Sequence, residues 1–253
     1  MLFKNSNRAL IGRSVVGLLG IGLLLNACTP KETLPNTLTN QEKEEGWALL
    51  FDGVSTKGWH IYNQGDTLSK WSAHNGELWC NPKEEKGIFG DLVTDDRYEN
   101  FDLRYEWKIS KGGNSGVMID VQESPQYGTD FMTAPEMQLL DNANAEERHK
   151  TNPLHWAGCL YDVLGKGNNS KPKPFGEWNQ SRIIQQDGKV TFWLNGFITA
   201  EADLKSQTWK NAVAKSNLGK FPAFGKMHSG KIALQNHTDE VAFRNMKIKK
   251  LYP

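Results

Sequence analysis

The chain has 253 residues, in which 30 lysines and arginines nearly balance 29 aspartates and glutamates. No basic block interrupts this balance, so nucleic acid is excluded as a predicted partner. Hydrophobic residues make up 38% of the chain, which is typical of an ordinary folded protein.

Residues 1–27 have the composition of a secretion signal. They contain three basic residues and no acidic residue, and Ser14–Leu25 is an almost wholly apolar run that is short for a membrane span. The segment ends in Leu25-Asn26-Ala27-Cys28, which resembles the bacterial lipobox, so Cys28 is predicted to be acylated and to become the mature N-terminus. An ordinary secretory leader and an uncleaved anchor helix are the alternatives. The sequence therefore predicts a lipid-anchored protein of the cell envelope, with the outer membrane as the favoured location.

Residues 28–45 are rich in Pro, Thr, Asn and Glu without periodicity, which predicts a flexible tether. Residues 46–253 form the predicted domain, and one β-sandwich or barrel suits this length. Phe101–Ile109 alternates apolar and charged residues with the period of a strand that has one buried face. Asp187-Gly188 and Asn195-Gly196 predict two tight hairpins. Further strands are predicted at Trp47–Phe51, Trp71–Trp79, Asp91–Thr94, Ser115–Val121, Glu136–Leu140, Gly158–Leu164, Arg182–Gln186, Val190–Leu194, Phe197–Ala202, Lys231–Gln235 and Val241–Lys249.

Only Trp209–Ser216 has a helical pattern, so the sequence predicts an all-β fold of antiparallel strands. Cys80 and Cys159 are the cysteines of the predicted domain. Outside the cytoplasm they can pair, but the sequence is equally consistent with two buried free thiols.

Several short strings together resemble one family, the 3-keto-disaccharide hydrolase domain found in lipoproteins of Bacteroidetes. The resemblance covers 46–251 and depends on the joint order of the strings rather than on any one of them. They are Leu50-Phe51-Asp52-Gly53 with Gly58-Trp59, Asn114-Ser115-Gly116-Val117, Glu136-Met137-Gln138-Leu139-Leu140-Asp141, Gly158-Cys159-Leu160-Tyr161, Glu177-Trp178-Asn179, Leu194-Asn195-Gly196, Ile232–His237 and Val241–Asn245.

This resemblance implies a concanavalin-like jelly-roll β-sandwich of two curved antiparallel sheets, with a saccharide as the substrate. It also implies cleavage of glycosides that carry a ketone at C3 of the sugar. The ketone acidifies the hydrogen on C2, so a base can remove it and the group on C1 can leave by elimination, after which water adds back. The reaction needs a base, a donor for the ketone oxygen and an acid for the leaving oxygen.

Glu136 and Gln138 are two apart on a predicted strand and therefore share a face, where they are candidates for proton transfer and hydrogen bonding. A solvated outer face is the alternative. Asp141 ends that strand and is a candidate substrate contact, although aspartate also serves turns.

Gln235 and His237 repeat this spacing on another strand, and a histidine both accepts and returns protons near neutral pH. The alternative for His237 is a turn residue. Arg244 is a candidate for holding a sugar or enolate oxygen, or for a structural ion pair.

Tyr161 is a candidate acid for the leaving oxygen, and Trp178 is a candidate sugar-stacking platform or a core residue. Asn179 and Asn114 complete the predicted substrate contacts.

The polar stretch 142–152 is predicted to be a loop over the cleft; it contains His149, and His155 follows it. A divalent metal is compatible with these histidines and Asp141 or Asp162, but no spacing matches a known metal motif. The sequence therefore assigns no cofactor.

Two other functions stay open. A lectin-like module would bind glycan on the same face without cleaving it. A conventional β-glycanase of the jelly-roll type would carry acidic residues two apart on one strand face. This function is disfavoured, because the corresponding face here carries Glu136, Gln138 and Leu140.

Overall fold

A computed structural model describes residues 34–252 of the chain. The predicted signal peptide, the acylation site at Cys28 and the first part of the predicted tether lie outside these residues. Within residues 34–252, no helix is long and apolar enough to span a membrane.

Strands dominate the regular secondary structure of the described chain, as predicted, and its three α-helices are short. The strands are β1 Trp47–Leu49, β2 Trp59–Ile61, β3 Trp71–His74, β4 Glu77–Cys80, β5 Leu92–Thr94, β6 Phe101–Ile109, β7 Asn114–Val121, β8 Glu136–Leu140, β9 Asn179–Gln186, β10 Lys189–Leu194, β11 Phe197–Asp203, β12 Lys231–Leu234 and β13 Val241–Lys250; the helices are α1 Asn40–Glu44, α2 Glu147–Lys150 and α3 Gln207–Lys215.

The strands form two antiparallel sheets. The large sheet has the order β11-β10-β9-β6-β13-β4-β3, with β1 also paired to β13, and the small sheet has the order β2-β5-β12-β7-β8. These two sheets confirm the predicted β-sandwich.

The core lies between the sheets and follows the alternation of each strand. Leu103, Tyr105 and Trp107 of β6 are buried, and the Tyr105 hydroxyl donates to the Met137 sulfur of β8 at 3.1 Å. Because Met137 faces the large sheet, its neighbours on β8 face the opposite way. The outer face of the small sheet is covered as well, since every residue of β7 and β8 is buried.

Four local predictions are corrected by the structure. The predicted strand 71–79 is a hairpin, because Asn75 and Gly76 adopt positive φ angles and turn the chain between β3 and β4. Strand β2 was not predicted. The end of the predicted tether is ordered as α1, where Thr39 and Glu42 form a capping box.

The fourth correction is the predicted strand 158–164. Only its first half pairs with β8. The chain then turns back, and the backbone N–H and carbonyl groups of Leu160 and Leu164 form two hydrogen bonds with each other. Gly158 donates to the Gln138 carbonyl at 2.7 Å, and Tyr161 donates to the Glu136 carbonyl at 3.0 Å. This irregular edge places Tyr161 beside Glu136.

Candidate active site

The small sheet carries a row of polar residues on its outer face, away from the core. Leu234 lies opposite both Leu92 of β5 and Val117 of β7, and Gly116 lies opposite Gln138. The neighbouring outward positions are Asp91, Gln235, Gly116 and Gln138, which therefore cross four adjacent strands as one row.

Glu136 lies next to this row and leans over Gly116. Its side chain is nearly fully enclosed, since the residue is 6% exposed, and its Oε1 atom has no hydrogen-bond partner within the described chain. A methyl group at position 116 would lie 1.9 Å from Oε1, so the glycine provides the space that the carboxyl group occupies.

The surroundings of Glu136 favour its neutral form. Burial, followed by the nearby charge of Asp91, raises the pKa of Glu136 from 4.5 to about 8. The group is therefore mostly protonated at neutral pH and can donate a proton.

Two aspartates that the sequence did not single out complete a cluster of three carboxyl groups. Asp91 Oδ1 accepts the Asn236 backbone N–H at 2.6 Å, and Asp130 Oδ1 accepts the Phe131 N–H at 2.8 Å. The Asp91 and Asp130 carboxyl groups also contact each other within hydrogen-bond range. Burial raises the pKa of both groups, and that of Asp130 lies well above its ordinary value. The alternation of β5 was the available signal, since Leu92 faces the core and Asp91 must therefore face outward.

The residues predicted on β12 also reach this face. Gln235 donates its backbone N–H to the Gly116 carbonyl at 2.9 Å and is half-buried. His237 lies two residues further on, is exposed, and is close enough for its charge to act on Asp91 and His149. The structure therefore brings positions 136, 138, 235 and 237 to one surface.

A hydrogen-bonded chain of neutral groups runs beside Glu136. Gln138 Nε2 donates to Asn114 Oδ1 at 2.6 Å, and Asn114 Nδ2 lies 3.4 Å from His149 Nε2. Burial, with the positive charge of Arg148, lowers the pKa of His149 to about 4. The imidazole is therefore neutral at pH 7 and can accept the Asn114 amide hydrogen.

Two aromatic rings adjoin this chain at His149. The Tyr161 ring stacks on His155 with 4.7 Å between centroids, and His149 lies 5.0 Å from His155. Burial and the nearby Glu136 raise the pKa of Tyr161, so its hydroxyl keeps its proton and remains a hydrogen-bond donor.

Three predicted substrate contacts lie elsewhere, and the prediction that they share a cleft with Glu136 is wrong. Arg244 is on the outer face of the large sheet, where its Nε donates to Glu106 at 2.7 Å and its guanidinium lies 4.1 Å from the centre of the Trp178 ring. Asn179 holds the preceding loop by accepting the Lys173 N–H at 2.7 Å. β13 and β9 belong to the large sheet, so the outward side chain of Arg244 cannot reach the other face of the sandwich. Asn179 is 1% exposed and lies opposite Trp107, so it is on the core side of its strand.

The Asp141 carboxylate accepts hydrogen bonds from neighbouring residues of the chain. Its Oδ2 accepts the Gly112 N–H at 2.9 Å and the Asn144 side-chain amide at 2.8 Å. This is the turn role that its position at the end of β8 allowed.

The histidines and aspartates that were weighed as metal ligands make other contacts. Within residues 34–252, no group of three or more His, Cys, Asp or Glu side chains is arranged to hold a metal ion. His155 Nε2 instead pairs with Asp162 at 3.1 Å. Cys80 and Cys159 are free buried thiols, and burial raises the pKa of each to about 12.

Two sizeable surface cavities lie away from Glu136. One of about 520 Å³ is on the outer face of the large sheet and includes Arg104 and Arg182, and another of about 660 Å³ adjoins α3 near Trp209. The chemistry of the side chains, rather than cavity volume, therefore selects the Glu136 face as the candidate site.

Comparisons with known proteins identify related chains. The 3-keto-disaccharide hydrolase of Bacteroides thetaiotaomicron is 34% identical over 231 residues, which cover 82% of this chain and 79% of that protein. A crystal structure of a candidate glycosyl hydrolase from Parabacteroides distasonis matches with a TM-score of 0.77 and 35% identity, over 87% of this chain and 100% of that one. A second candidate glycosyl hydrolase from the same organism matches in fold, with a TM-score of 0.61 and 24% identity over 81% of this chain and 99% of that one.

The family model described as the 3-keto-alpha-glucoside-1,2-lyase-like domain matches residues 46–249, which span nearly all of the sandwich. Both sheets and the Glu136 face lie within that match. The chain therefore belongs to the family of 3-keto-alpha-glucoside-1,2-lyase-like domains.

Proposed function

We propose that the protein hydrolyses 3-keto-disaccharides at the outer face of the small sheet. The family membership and the name of the Bacteroides thetaiotaomicron relative support the substrate class. The observation that carries the proposal is the enclosed Glu136 carboxyl group, whose pKa of about 8 suits proton transfer near neutral pH.

The reaction that we propose proceeds by elimination followed by hydration. Removal of the C2 hydrogen gives an enolate that the C3 ketone stabilises, and the enolate then expels the oxygen on C1. Water adds across the resulting double bond, so that the net reaction is hydrolysis. The enolate oxygen and the leaving oxygen both need hydrogen-bond donors as their negative charge develops.

The neutral groups beside Glu136 suit these requirements. Protonated Glu136 delivers its proton to the leaving oxygen on C1. Tyr161, which is half-buried, supplies a further donor on the same face, while Gln138 and Asn114 hold each other in the hydrogen-bonded arrangement described above. Because these groups are neutral, they can bind sugar oxygens without burying additional charge.

The test is release of free 3-keto sugar from a purified 3-keto disaccharide. We expect the wild-type protein to release it and Glu136→Gln to slow kcat/KM at least tenfold, about 1.4 kcal/mol of activation free energy. Glu106→Gln is the matched control, since Glu106 is a strand carboxylate on the opposite face that pairs with Arg244. Binding of the disaccharide without release by the wild-type protein would favour the lectin-like function instead.

We also propose that the mature protein is attached to the cell envelope through an acyl chain on Cys28. The basic and apolar composition of residues 1–27 and the Leu25-Asn26-Ala27-Cys28 sequence support this proposal. Incorporation of a labelled fatty acid tests it, and Cys28→Ser should abolish the label. A labelled Cys28→Ser variant would refute the site.

A further inference from the structure

We propose that Asp91 is the base that removes the C2 hydrogen, and that Asp130 is a positioning residue that keeps Asp91 in its carboxylate form. The inference deepens the proposed function and rests on it. It assigns separate roles to two carboxyl groups on one face, Asp91 as the proton acceptor and Glu136 as the proton donor.

The position of Asp91 suits a group that meets substrate. It immediately precedes β5, is half-buried, and belongs to the outward row that continues through Gln235 to Gly116. Glu136 leans over Gly116, and Asp91 belongs to the same row two strands away, beyond Gln235. The charge of Asp91 is close enough to act on Glu136.

Asp130 has no access to solvent, since it is 0% exposed. Its Oδ1 is occupied by the Phe131 N–H, and its Oδ2 receives no bond from an N–H or hydroxyl group within the described chain. Its carboxyl group contacts that of Asp91. Two carboxylates in contact repel each other strongly, so the pair holds one proton at neutral pH.

The proton belongs on Asp130. Asp91 accepts a short bond from the Asn236 N–H and lies near His237, and both favour its charged form. Asp130 has only the Phe131 N–H and is enclosed. The protonated Asp130 therefore donates to Asp91, which leaves Asp91 a half-buried carboxylate with two donors.

The other titratable groups around the cluster do not change which aspartate holds the shared proton. Besides one another, the titratable groups that interact by charge with these carboxyls are His237 and Cys80 for Asp91, Tyr62 for Asp130 and Tyr161 for Glu136. Within residues 34–252, the main influences on the three carboxyls are burial, one another, backbone N–H groups and His237, with no lysine or arginine among them. Protons must therefore neutralise the cluster.

The proton transfers balance through both halves of the reaction. Asp91 takes the C2 hydrogen as a proton, its electron pair forms the enolate, and the C1–O bond breaks while Glu136 protonates the departing oxygen. In the second half, Glu136 takes a proton from water as the hydroxyl adds to C1. Asp91 then returns its proton to C2, so both residues recover their starting forms.

Exchange of the C2 hydrogen for deuterium separates the two roles. A methyl 3-keto-glucoside is incubated with protein in deuterium oxide and followed by NMR, and release from a 3-keto disaccharide is measured in parallel. We expect Glu136→Gln to keep exchange but lose release at least tenfold, and Asp91→Asn to lose both at least tenfold. If the wild-type protein releases sugar while Asp91→Asn exchanges at the wild-type rate, the assignment of Asp91 is overturned and the proposed function survives. A wild-type protein that neither exchanges nor releases would overturn the proposed function itself.

The role of Asp130 is tested by a pair of variants and a pH profile. Asp130→Asn keeps a neutral donor toward Asp91, so it should retain activity within about threefold of wild type with an unshifted acid limb of kcat/KM. Asp130→Ala removes the donor, so its activity should fall at least tenfold and its acid limb should move to higher pH.

Asp102→Ala is the structural control, because Asp102 is a buried carboxylate that binds Arg182 on the opposite face of the sandwich. It should reduce stability without moving the acid limb. Equal pH profiles for Asp130→Asn, Asp130→Ala and the wild-type protein would overturn the positioning role.

Discussion

Gly116→Ala tests the geometry of the candidate site with the smallest possible change. The added methyl group would lie 1.9 Å from Glu136 Oε1, 2.6 Å from Cδ and 2.7 Å from Cγ. Carbon and oxygen atoms in packed proteins stay more than 3 Å apart, so the carboxyl group must move by about 1 Å. Because strand β8 fixes the backbone of Glu136, the movement falls on the side chain.

The displacement has two measurable consequences. A shift of about 1 Å in a proton-transfer group lowers kcat/KM by about 100-fold, since the group no longer meets the reacting oxygen. Overpacking an enclosed position also lowers the free energy of unfolding by about 1–3 kcal/mol. Release of 3-keto sugar measures the first effect, and urea denaturation measures the second.

Two further variants isolate the cause. Gly128→Ala is the matched control, because an added methyl group there meets nothing within 4 Å. In Gly116→Ala/Glu136→Ala the clash disappears, so the stability changes should be non-additive. A Gly116→Ala protein with wild-type kcat/KM would refute the reasoning, because Glu136 could then act from a displaced position.

Two more predictions concern pH and the opposite face of the sandwich. A raised pKa means that folded Glu136 keeps a proton that the unfolded chain has released, so this group costs stability increasingly as pH rises from 4.5 to about 8. As pH rises from about 5 to about 8, the unfolding free energy of the wild-type protein should therefore fall more than that of Glu136→Gln. Urea titrations should show a difference between the two decreases on the order of a few kcal/mol. Arg244→Ala should leave kcat/KM unchanged within about twofold, because Arg244 serves Glu106 and Trp178, and should cost about 1 kcal/mol of stability in thermal unfolding.

Each of these predictions has a contradicting result. Parallel stability curves for Glu136→Gln and the wild-type protein would mean that Glu136 titrates normally. A large loss of kcat/KM in a folded Arg244→Ala variant would return the large sheet to consideration as the substrate-binding face.

The amino-acid sequence by itself determined most of the secondary structure. The strict alternation of Phe101–Ile109 predicted β6 with its bounds, and the Asp-Gly and Asn-Gly turns predicted the hairpins of β9, β10 and β11. These features are local, since side-chain period and turn conformation depend on neighbouring residues. The same alternation placed Glu136 and Gln138 together on one face.

Only the tertiary structure decided which face of which sheet each strand contributes to the site. The sequence is compatible with Arg244 and Glu136 in one substrate-binding site, but the two residues lie on opposite outer surfaces of the sandwich. Asp91 and Asp130 carry no local motif, and their contact joins segments that are far apart in sequence. Strand pairing and sheet packing decide whether such residues lie close together, and burial then decides their protonation. Both properties depend on contacts between distant segments, so residue order alone does not predict them.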